Sequence, residues 1–160
     1  MICRIAPVFN IVLYQPEIPP NTGNIIRLCA NSGARLHLVG PMGFVLDNAR
    51  VRRAGLDYHE LAHVELHESW EKFSQKNQAM NIWALSTRGS RSYHQAHFHE
   101  GDGLLFGPET RGLPDEILEQ SGEQLLRIPM RPDSRSLNLS NTVAIVLFEA
   151  LRQQDFANLQ

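Results

Sequence analysis

Three short polar segments hold most of the residues in this sequence that could bind a ligand or act on it. They are NTGNIIR (residues 21–27), FGPETRG (106–112) and SRSLNLSN (134–141). Asparagine, serine and threonine both donate and accept hydrogen bonds, an ionised glutamate accepts them, and arginine grips phosphate or carboxylate groups. Together the segments offer the groups needed to bind a polar or anionic ligand, but they contain no obvious pair of nucleophile and base.

Two of these segments lie where helices are expected to begin. Asn21 and Asn24 precede apolar residues with helical spacing, and Arg27 follows within two turns. The free N–H groups at a helix N-terminus favour anions, including phosphate. Asn138 and Asn141 are three residues apart and share one side if the last helix has begun. A helix cap needs only one such residue, so the surplus indicates a further partner, with simple capping as the alternative.

The middle segment has the composition of a tight, ligand-facing loop. Gly107 and Gly112 allow a close approach of the backbone to a ligand, and Pro108 restricts one turn torsion. The residue order is not that of a phosphate-binding P-loop, and the chain contains no G-x-G-x-x-G fingerprint. A dinucleotide site is therefore not predicted, and a plain turn is the alternative interpretation.

Metal binding is not predicted. His63 and His67 have i, i+4 spacing, but the surrounding residues alternate as in a strand, and we expect both imidazoles to face solvent. Further histidines at 59, 94, 97 and 99 have no cysteine ligand nearby and form no H-E-x-x-H motif. Cys3 and Cys29 lack paired metal spacing and are expected to be reduced thiols.

The charge pattern suggests a polyanionic partner only weakly. The formal net charge is -2, which counts against a general polycation. Residues 1–59, however, contain six arginines and three acidic residues, and the whole chain has 13 arginines but only two lysines. Arginine is the better residue for two-point phosphate contacts and for stacking on bases. A solvated, ion-paired surface is the alternative interpretation.

Length and hydropathy predict one soluble domain. The 160 residues, 42% of them hydrophobic, are enough for one ordinary domain with a real core. No apolar run approaches the roughly 18 residues of a membrane span, and the first 20 residues make a poor signal peptide. We therefore expect a cytoplasmic protein.

Apolar runs alternate with helical patterns along the chain. Strands are predicted at 9–14, 36–39, 63–67, 80–85, 104–106 and 125–128. Helices are predicted at 21–32, 70–77, 114–120 and 139–153, and residues 41–60 read as a long loop with a short helical piece. This alternation is typical of an α/β domain with a mostly parallel sheet, in which ligands bind beyond the carboxyl ends of the strands. The last helix is unusually apolar, which indicates burial in a subunit interface or in a single core.

NTGNIIRLCAN, FGPETRGLP and RIPM…DSRSLNLSN, in this order, resemble the three motifs of the SPOUT class of knotted RNA methyltransferases. Within that class the chain is similar to the small tRNA (cytidine/uridine-34)-2′-O-methyltransferases, which modify the ribose of the wobble nucleotide. The resemblance runs from Val8 to Gln153 and includes VLYQPEIPPNTGN and RRAGLDYHE. It makes residues 1–160 a single SPOUT domain, with residues 1–7 as an N-terminal extension.

The resemblance implies a mostly parallel sheet flanked by helices, with a C-terminal trefoil knot. It also implies a homodimer formed through the N-terminal and last helices, no membrane or metal partner, and the anticodon loop of tRNA as substrate. The implied cofactor is S-adenosylmethionine. The residues expected to bind it are Leu85, Thr87, Gly107, Glu109, Ile128, Met130, Ser136 and Leu137.

The same resemblance implies a set of catalytic residues. They are Arg27, Asn21, Glu109, Ser136 and Asn138. Because an arginine guanidinium stays protonated in proteins, we expect Arg27 to hold a phosphate and stabilise the developing alkoxide rather than act as a base. The proton acceptor is not identified, and Phe148 stands where many relatives carry tyrosine. The residues expected to contact RNA are Arg52, Arg53, Arg88, Arg111 and Arg135, with Arg50, Arg91 and Arg131 as further candidates.

Other functions remain open at this point. The same fold could methylate another position of tRNA or of ribosomal RNA. A member without activity could serve as an RNA-binding module, and a metal hydrolase is a more distant alternative.

Overall fold

Seven parallel strands form the centre of the computed structural model, which describes residues 8–53 and 55–160. The strands are β1 (Asn10–Tyr14), β2 (Arg35–Val39), β3 (Val64–His67), β4 (Ile82–Leu85), β5 (Arg91–Ser92), β6 (Gly103–Phe106) and β7 (Leu125–Arg127). They pair side by side in the order β3-β2-β1-β6-β4-β7-β5. The predicted α/β class is confirmed. The proposed extension at residues 1–7 and the side chain of Arg50 lie outside what the structure describes.

Six α-helices accompany the sheet in the described part of the chain. They are α1 (Pro19–Ser32), α2 (Asn48–Arg53), α3 (Tyr58–Leu61), α4 (Trp70–Lys76), α5 (Asp115–Ser121) and α6 (Leu139–Gln153). The bounds predicted for the last helix are confirmed. Short 3-10 turns at Tyr93–Gln95 and Gly122–Gln124 and the two-residue strand β5 have no counterpart in the predicted elements. None of the described helices has the length and apolar character required to cross a membrane.

Helix α1 begins two residues before its predicted start. Pro19 and Pro20 occupy its first positions, where a missing N–H costs nothing, and Gly33 ends it in the left-handed region at φ 77°. The prediction that Asn21 caps this helix is wrong, because Asn21 lies inside the first turn. The capping position belongs to Ile18, whose side chain makes no cap bond.

Both faces of the sheet are covered at its centre, so the residues of β1, β4 and β6 are almost all buried, whichever face they point to. Ile11 and Leu13 point into the larger core, with α1 and α6, whereas Val12 points into the smaller core, with α4 and α5. The larger core includes Cys29, whose thiol is free. Burial raises the pKa of this thiol to about 12, so it is protonated and unreactive at neutral pH.

Only one side of helix α6 packs against the core. Val143, Val146 and Leu147 are fully buried, whereas Ile145 is 37% exposed and Phe148 is 45% exposed. The apolar character of this helix therefore has two parts, a stripe that packs within the chain and a second stripe that faces outward.

The prediction that His67 faces solvent is wrong. His67 is buried and its neighbour Leu66 is 61% exposed, whereas Val64 packs against the larger core. The face of β3 that carries His67 is the one covered by α4, where Phe73 packs edge-on against the imidazole at 5.1 Å between ring centroids. Because side chains alternate along a strand, burying His67 turns Leu66 outward.

A hydrogen-bonded chain of three polar residues runs through the buried face of β1, β2 and β3. The Asn10 amide nitrogen donates to the Gly101 carbonyl at 3.0 Å, so its oxygen accepts from His37 Nε2, also at 3.0 Å. The remaining His37 nitrogen, Nδ1, lies 2.9 Å from His67 Nε2, which must then be the donor. Burial lowers the pKa of His37 to about 4 and also lowers that of His67, so both imidazoles are neutral at pH 7.

Acidification should therefore destabilise the protein. Between about pH 6.5 and pH 4 the unfolded chain protonates His37 while the native chain does not, so the free energy of unfolding falls as the pH falls. The full shift of His37 corresponds to about 3 kcal/mol. Urea titrations at pH 7 and pH 4.5 measure this loss, which should be smaller in a His37→Gln variant. An equal loss in that variant would assign the acid sensitivity to other groups.

Candidate active site

An open cleft of about 610 Å³ lies at the carboxyl ends of β4, β6 and β7. Its size is within the usual range for small-molecule sites. The described residues that line it are 18, 21, 85–88, 106–113, 128, 130, 135–139 and 142. Chain order reverses here, since β2 and β3 extend the sheet on one side of β1 while β6 and β4 extend it on the other. This is the position at which open α/β sheets bind ligands.

The structure gathers most of the predicted site residues around this cleft. All residues expected to bind a cofactor line it, namely Leu85, Thr87, Gly107, Glu109, Ile128, Met130, Ser136 and Leu137. Asn21 and Asn138 line it as well, so the three polar segments meet as expected. Sequence reasoning missed Ile18, Leu113 and Thr142, which lie outside the three segments and carry no chemical signature.

The loop after β6 folds back tightly on itself. A Cβ atom at Gly107 would lie 2.6 Å from the Gly112 carbonyl carbon, which no side chain could tolerate. Gly112 itself has a φ of +68°, in the left-handed region that favours glycine. The glycines were predicted to permit close approach of a ligand. At Gly107 the close neighbour is the backbone of the same loop.

Glu109 joins this loop to the start of α1. Its carboxylate accepts hydrogen bonds from the backbone N–H groups of Glu17 at 2.8 Å and Ile18 at 3.1 Å, and from the Asn21 amide nitrogen at 3.3 Å. A carboxylate in this position satisfies free N–H groups and complements the positive end of the helix dipole. Glu109 therefore satisfies the two N–H groups that directly precede α1. Within the helix, Pro19 and Pro20 have no N–H, and the Asn21 N–H donates to the Ile18 carbonyl at 3.1 Å.

Asn138 extends the same network to the third segment. Its amide nitrogen donates to the Asn21 side-chain oxygen at 3.0 Å, and its own oxygen accepts from the Ser140 backbone N–H at 2.9 Å, which caps α6. One continuous chain of hydrogen bonds thus runs from Glu109 through Asn21 to Asn138. No local sequence pattern could reveal it, because the partners are 88 and 117 residues apart.

Arg27 is placed differently from the other predicted catalytic residues. It is not among the described residues that line the cleft. Its Nη2 atom donates to the Gly55 carbonyl at 2.8 Å and its Nε atom to Glu60 at 3.2 Å. Asn21 and Arg27 are six residues apart on α1 and therefore face different directions, since each residue turns a helix by about 100°.

The predicted RNA contacts fall into two groups. Arg88, Arg111 and Arg135 line the cleft. Arg88 pairs with Asp115 and Arg111 donates to Gln15, both in close contact. The second group lies elsewhere: Arg52 and Arg53 are exposed on α2, just before the Gly55 carbonyl that binds Arg27.

One group of possible metal ligands occurs among the described residues, and it is not the one considered from the sequence. His37, Glu65 and His67 each have a ligand atom within 4.8 Å of the others. The Glu65 carboxylate is already paired with Lys76 and lies 3.6 Å from Arg35. The hydrogen bond from Lys76 lowers the pKa of Glu65.

The comparison with known proteins identifies the family. The SpoU rRNA Methylase family matches residues 8–148. The chain belongs to this family. A SpoU relative from Methylovorus glucosotrophus (strain SIP3-4), a tRNA (cytidine(34)-2′-O)-methyltransferase, is 58% identical over 151 residues, which cover 94% of this chain and 98% of the relative.

Solved structures give the same result. One concerned with the 2-OH methylation of C/U34 on tRNA has a TM-score of 0.83 and 45% identity, covering 92% of this chain and 91% of that chain. An AdoMet-bound rRNA methyltransferase from Sinorhizobium meliloti has a TM-score of 0.77 and 29% identity, covering 92% of this chain and 58% of that chain. The parallel sheet and its flanking helices are therefore those of a SpoU methylase.

Removing the Glu109 carboxylate should loosen the start of α1. Glu109→Ala leaves the N–H groups of Glu17 and Ile18 without their partner, and we expect the free energy of unfolding to fall by about 1–3 kcal/mol. Glu109→Gln keeps one acceptor oxygen and should cost less. Urea denaturation of both variants measures the difference. Two variants as stable as the wild type would show that the contacts of Glu109 with Glu17 and Ile18 contribute no stability.

We also expect the purified protein to contain no stoichiometric transition metal. The two imidazoles of the His37 group already bond to each other, and the cations beside Glu65 oppose the binding of a further positive ion. Elemental analysis of the protein checks this expectation. One equivalent of zinc that disappears in a His37→Ala variant would contradict it.

Proposed function

We propose that this chain transfers a methyl group from S-adenosylmethionine to the ribose 2′-hydroxyl of nucleotide 34, the wobble position of tRNA. The acceptor is a cytidine or a modified uridine. Near-full-length similarity to tRNA (cytidine(34)-2′-O)-methyltransferases carries the proposal. The assembly of the three polar segments around one cleft supports it, because Asn21, Glu109, Ser136 and Asn138 line that cleft together.

The cleft suits the proposed cofactor. Leu85, Ile128, Met130 and Leu137 would provide apolar surface for an adenine ring. The loops after β4, β6 and β7 line the same cleft, and backbone N–H and C=O groups there would bind its polar edges. A relative solved with AdoMet bound uses the same fold. When bound, S-adenosylmethionine would supply a methyl group attached to a positively charged sulfur. An oxygen nucleophile would form its bond to the methyl carbon as the carbon–sulfur bond breaks, so that neutral S-adenosylhomocysteine leaves.

The chain itself must align the ribose hydroxyl and stabilise the charge that develops on its oxygen. The network from Glu109 through Asn21 to Asn138 fixes the walls of the cleft, and Ser136 lies in the loop beside it. Arg27 stays protonated and contributes positive charge and phosphate binding, not proton removal. Proton removal is left to a group outside this set.

A homodimer accounts for the placement of Arg27. Its guanidinium lies outside the cleft of its own chain. Ile145 and Phe148 are exposed on α6, the helix that packs against α1. We propose that two copies pack through α1 and α6, so that each brings its Arg27 near the RNA bound at the other cleft. The exposed Arg52 and Arg53 would extend the same surface.

The RNA partner is the anticodon loop. A loop nucleotide can turn its sugar out of the stack, which a ribose methyltransferase needs. The arginines at the cleft and on α2 would bind phosphates, so affinity should fall steeply with salt. The proposed setting is the cytoplasm, and the single domain is proposed to carry the C-terminal trefoil knot of the SPOUT class.

Mapping the methylated nucleotide tests the function directly. Transfer RNA that lacks only the ribose methyl group at position 34, incubated with enzyme and S-adenosylmethionine, should gain one methyl group there, as read by mass spectrometry of nuclease fragments. A methyl group at another tRNA position or in ribosomal RNA would select the related activity. Binding of tRNA without methylation, together with no cofactor binding by calorimetry, would select a non-catalytic module.

A further inference from the structure

Arg27 is held by two groups that lie close together in the chain. The Gly55 carbonyl accepts from Nη2 at 2.8 Å, and Glu60 Oε1 accepts from Nε at 3.2 Å. Both groups belong to the stretch between α2 and the end of α3. Among the described residues these are the only hydrogen bonds that the Arg27 side chain makes.

The Glu60 carboxylate is also held by contacts other than the one with Arg27. Its second oxygen, Oε2, accepts from the Asp57 backbone N–H at 2.8 Å, and the Asp57 side chain accepts from the Glu60 backbone N–H at 3.0 Å. This reciprocal capping box starts α3. One Glu60 oxygen therefore serves the helix start, and the other is left for Arg27.

Gly55 is equally constrained. Its φ of +71° lies in the left-handed region, and a Cβ atom there would come 3.4 Å from Arg27 Nη2. The turn therefore directs its carbonyl at the guanidinium without placing a side chain beside it.

The contacts of Arg27 with Glu60 and Gly55 add little to the stability of the protein, but they fix the orientation of the guanidinium. The Arg27 side chain is 51% exposed, and ion pairs at such sites stabilise proteins only slightly. A guanidinium has five N–H donors, of which two are used here, on Nε and Nη2. The unused donors, including both on Nη1, remain for a phosphate or a ribose oxygen.

We propose that Glu60 and the Gly55 carbonyl are positioning residues that hold Arg27 in one rotamer with its free donors presented to the RNA. This inference rests on the proposed function, in which Arg27 acts on the substrate. Glu60 touches neither substrate nor cofactor and acts only through Arg27. The opposite role, a latch that keeps Arg27 away from the RNA, predicts the opposite change in rate.

The decisive variant is Glu60→Gln. Glutamine is a normal partner in a capping box, so its single oxygen can still accept from Asp57, but its amide group offers Arg27 no second acceptor. We expect the rate constant of methyl transfer to fall by about tenfold or more, as misplacement of a catalytic group does. S-adenosylmethionine affinity, measured by calorimetry, and the melting temperature should stay near the wild-type values.

Asp57→Ala is the matched control. It removes the acceptor of the capping box and weakens α3, but leaves both the Asp57 backbone N–H and the Glu60 contact with Arg27. A loss of rate as large as in Glu60→Gln would make the effect structural and overturn the proposal. A double-mutant cycle adds a second control, because Glu60→Gln should have no further effect once Arg27 is alanine.

An independent readout separates this proposal from the proposed function. Nitrogen-15 relaxation of Arg27 Nε should show an ordered side chain in the wild type and a mobile one in Glu60→Gln. A mobile Arg27 in the wild type, an unchanged rate in Glu60→Gln, or a faster rate in that variant would each overturn the positioning role. A wild-type protein with an ordered Arg27 that methylates no tRNA would instead overturn the proposed function, and with it the purpose of the contact.

Discussion

The carboxylate of Glu109 at the start of α1 is the interaction on which the arrangement of the site depends. Helix α1 begins with two prolines, which have no N–H, and the N–H of Asn21 donates to the Ile18 carbonyl. The N–H groups that need an acceptor from elsewhere are those of Glu17 and Ile18, just before the helix. That acceptor comes from the loop after β6. The same contact fixes Asn21, and Asn21 fixes Asn138. The need of two backbone N–H groups for an acceptor has thus become the link between three distant pieces of chain.

The sheet explains why such a link can exist. The strands β1 and β6 are neighbours in the parallel sheet although β2 to β5 lie between them in the chain. Their carboxyl ends therefore lie side by side, and the loops that follow them must meet. Covering both faces of the sheet leaves its carboxyl end as the place where polar groups can gather.

The sequence could predict the class of fold, most elements and most residues of the cleft. Strands such as β1 and helices such as α6 have strong local patterns, and the polar segments stand out because they exceed what capping needs. Long-range partners could not be predicted. The pairing of Glu109 with α1, the burial of His67 beneath Phe73 and the bond between Glu60 and Arg27 each depend on chain brought together by the tertiary fold.

The position of β6 in the sheet also has a consequence for synthesis of the protein. One edge of β1 stays unpaired until residues 103–106 have left the ribosome, and the wall of the cleft is incomplete until residue 142 follows. Until then the edge of β1 that later binds β6 has unpaired N–H and C=O groups, which can pair with other chains. A ligand that fills the cleft contacts residues 18 and 21 as well as residues 135–142. Its binding would therefore stabilise the fold only after residue 142 has been added.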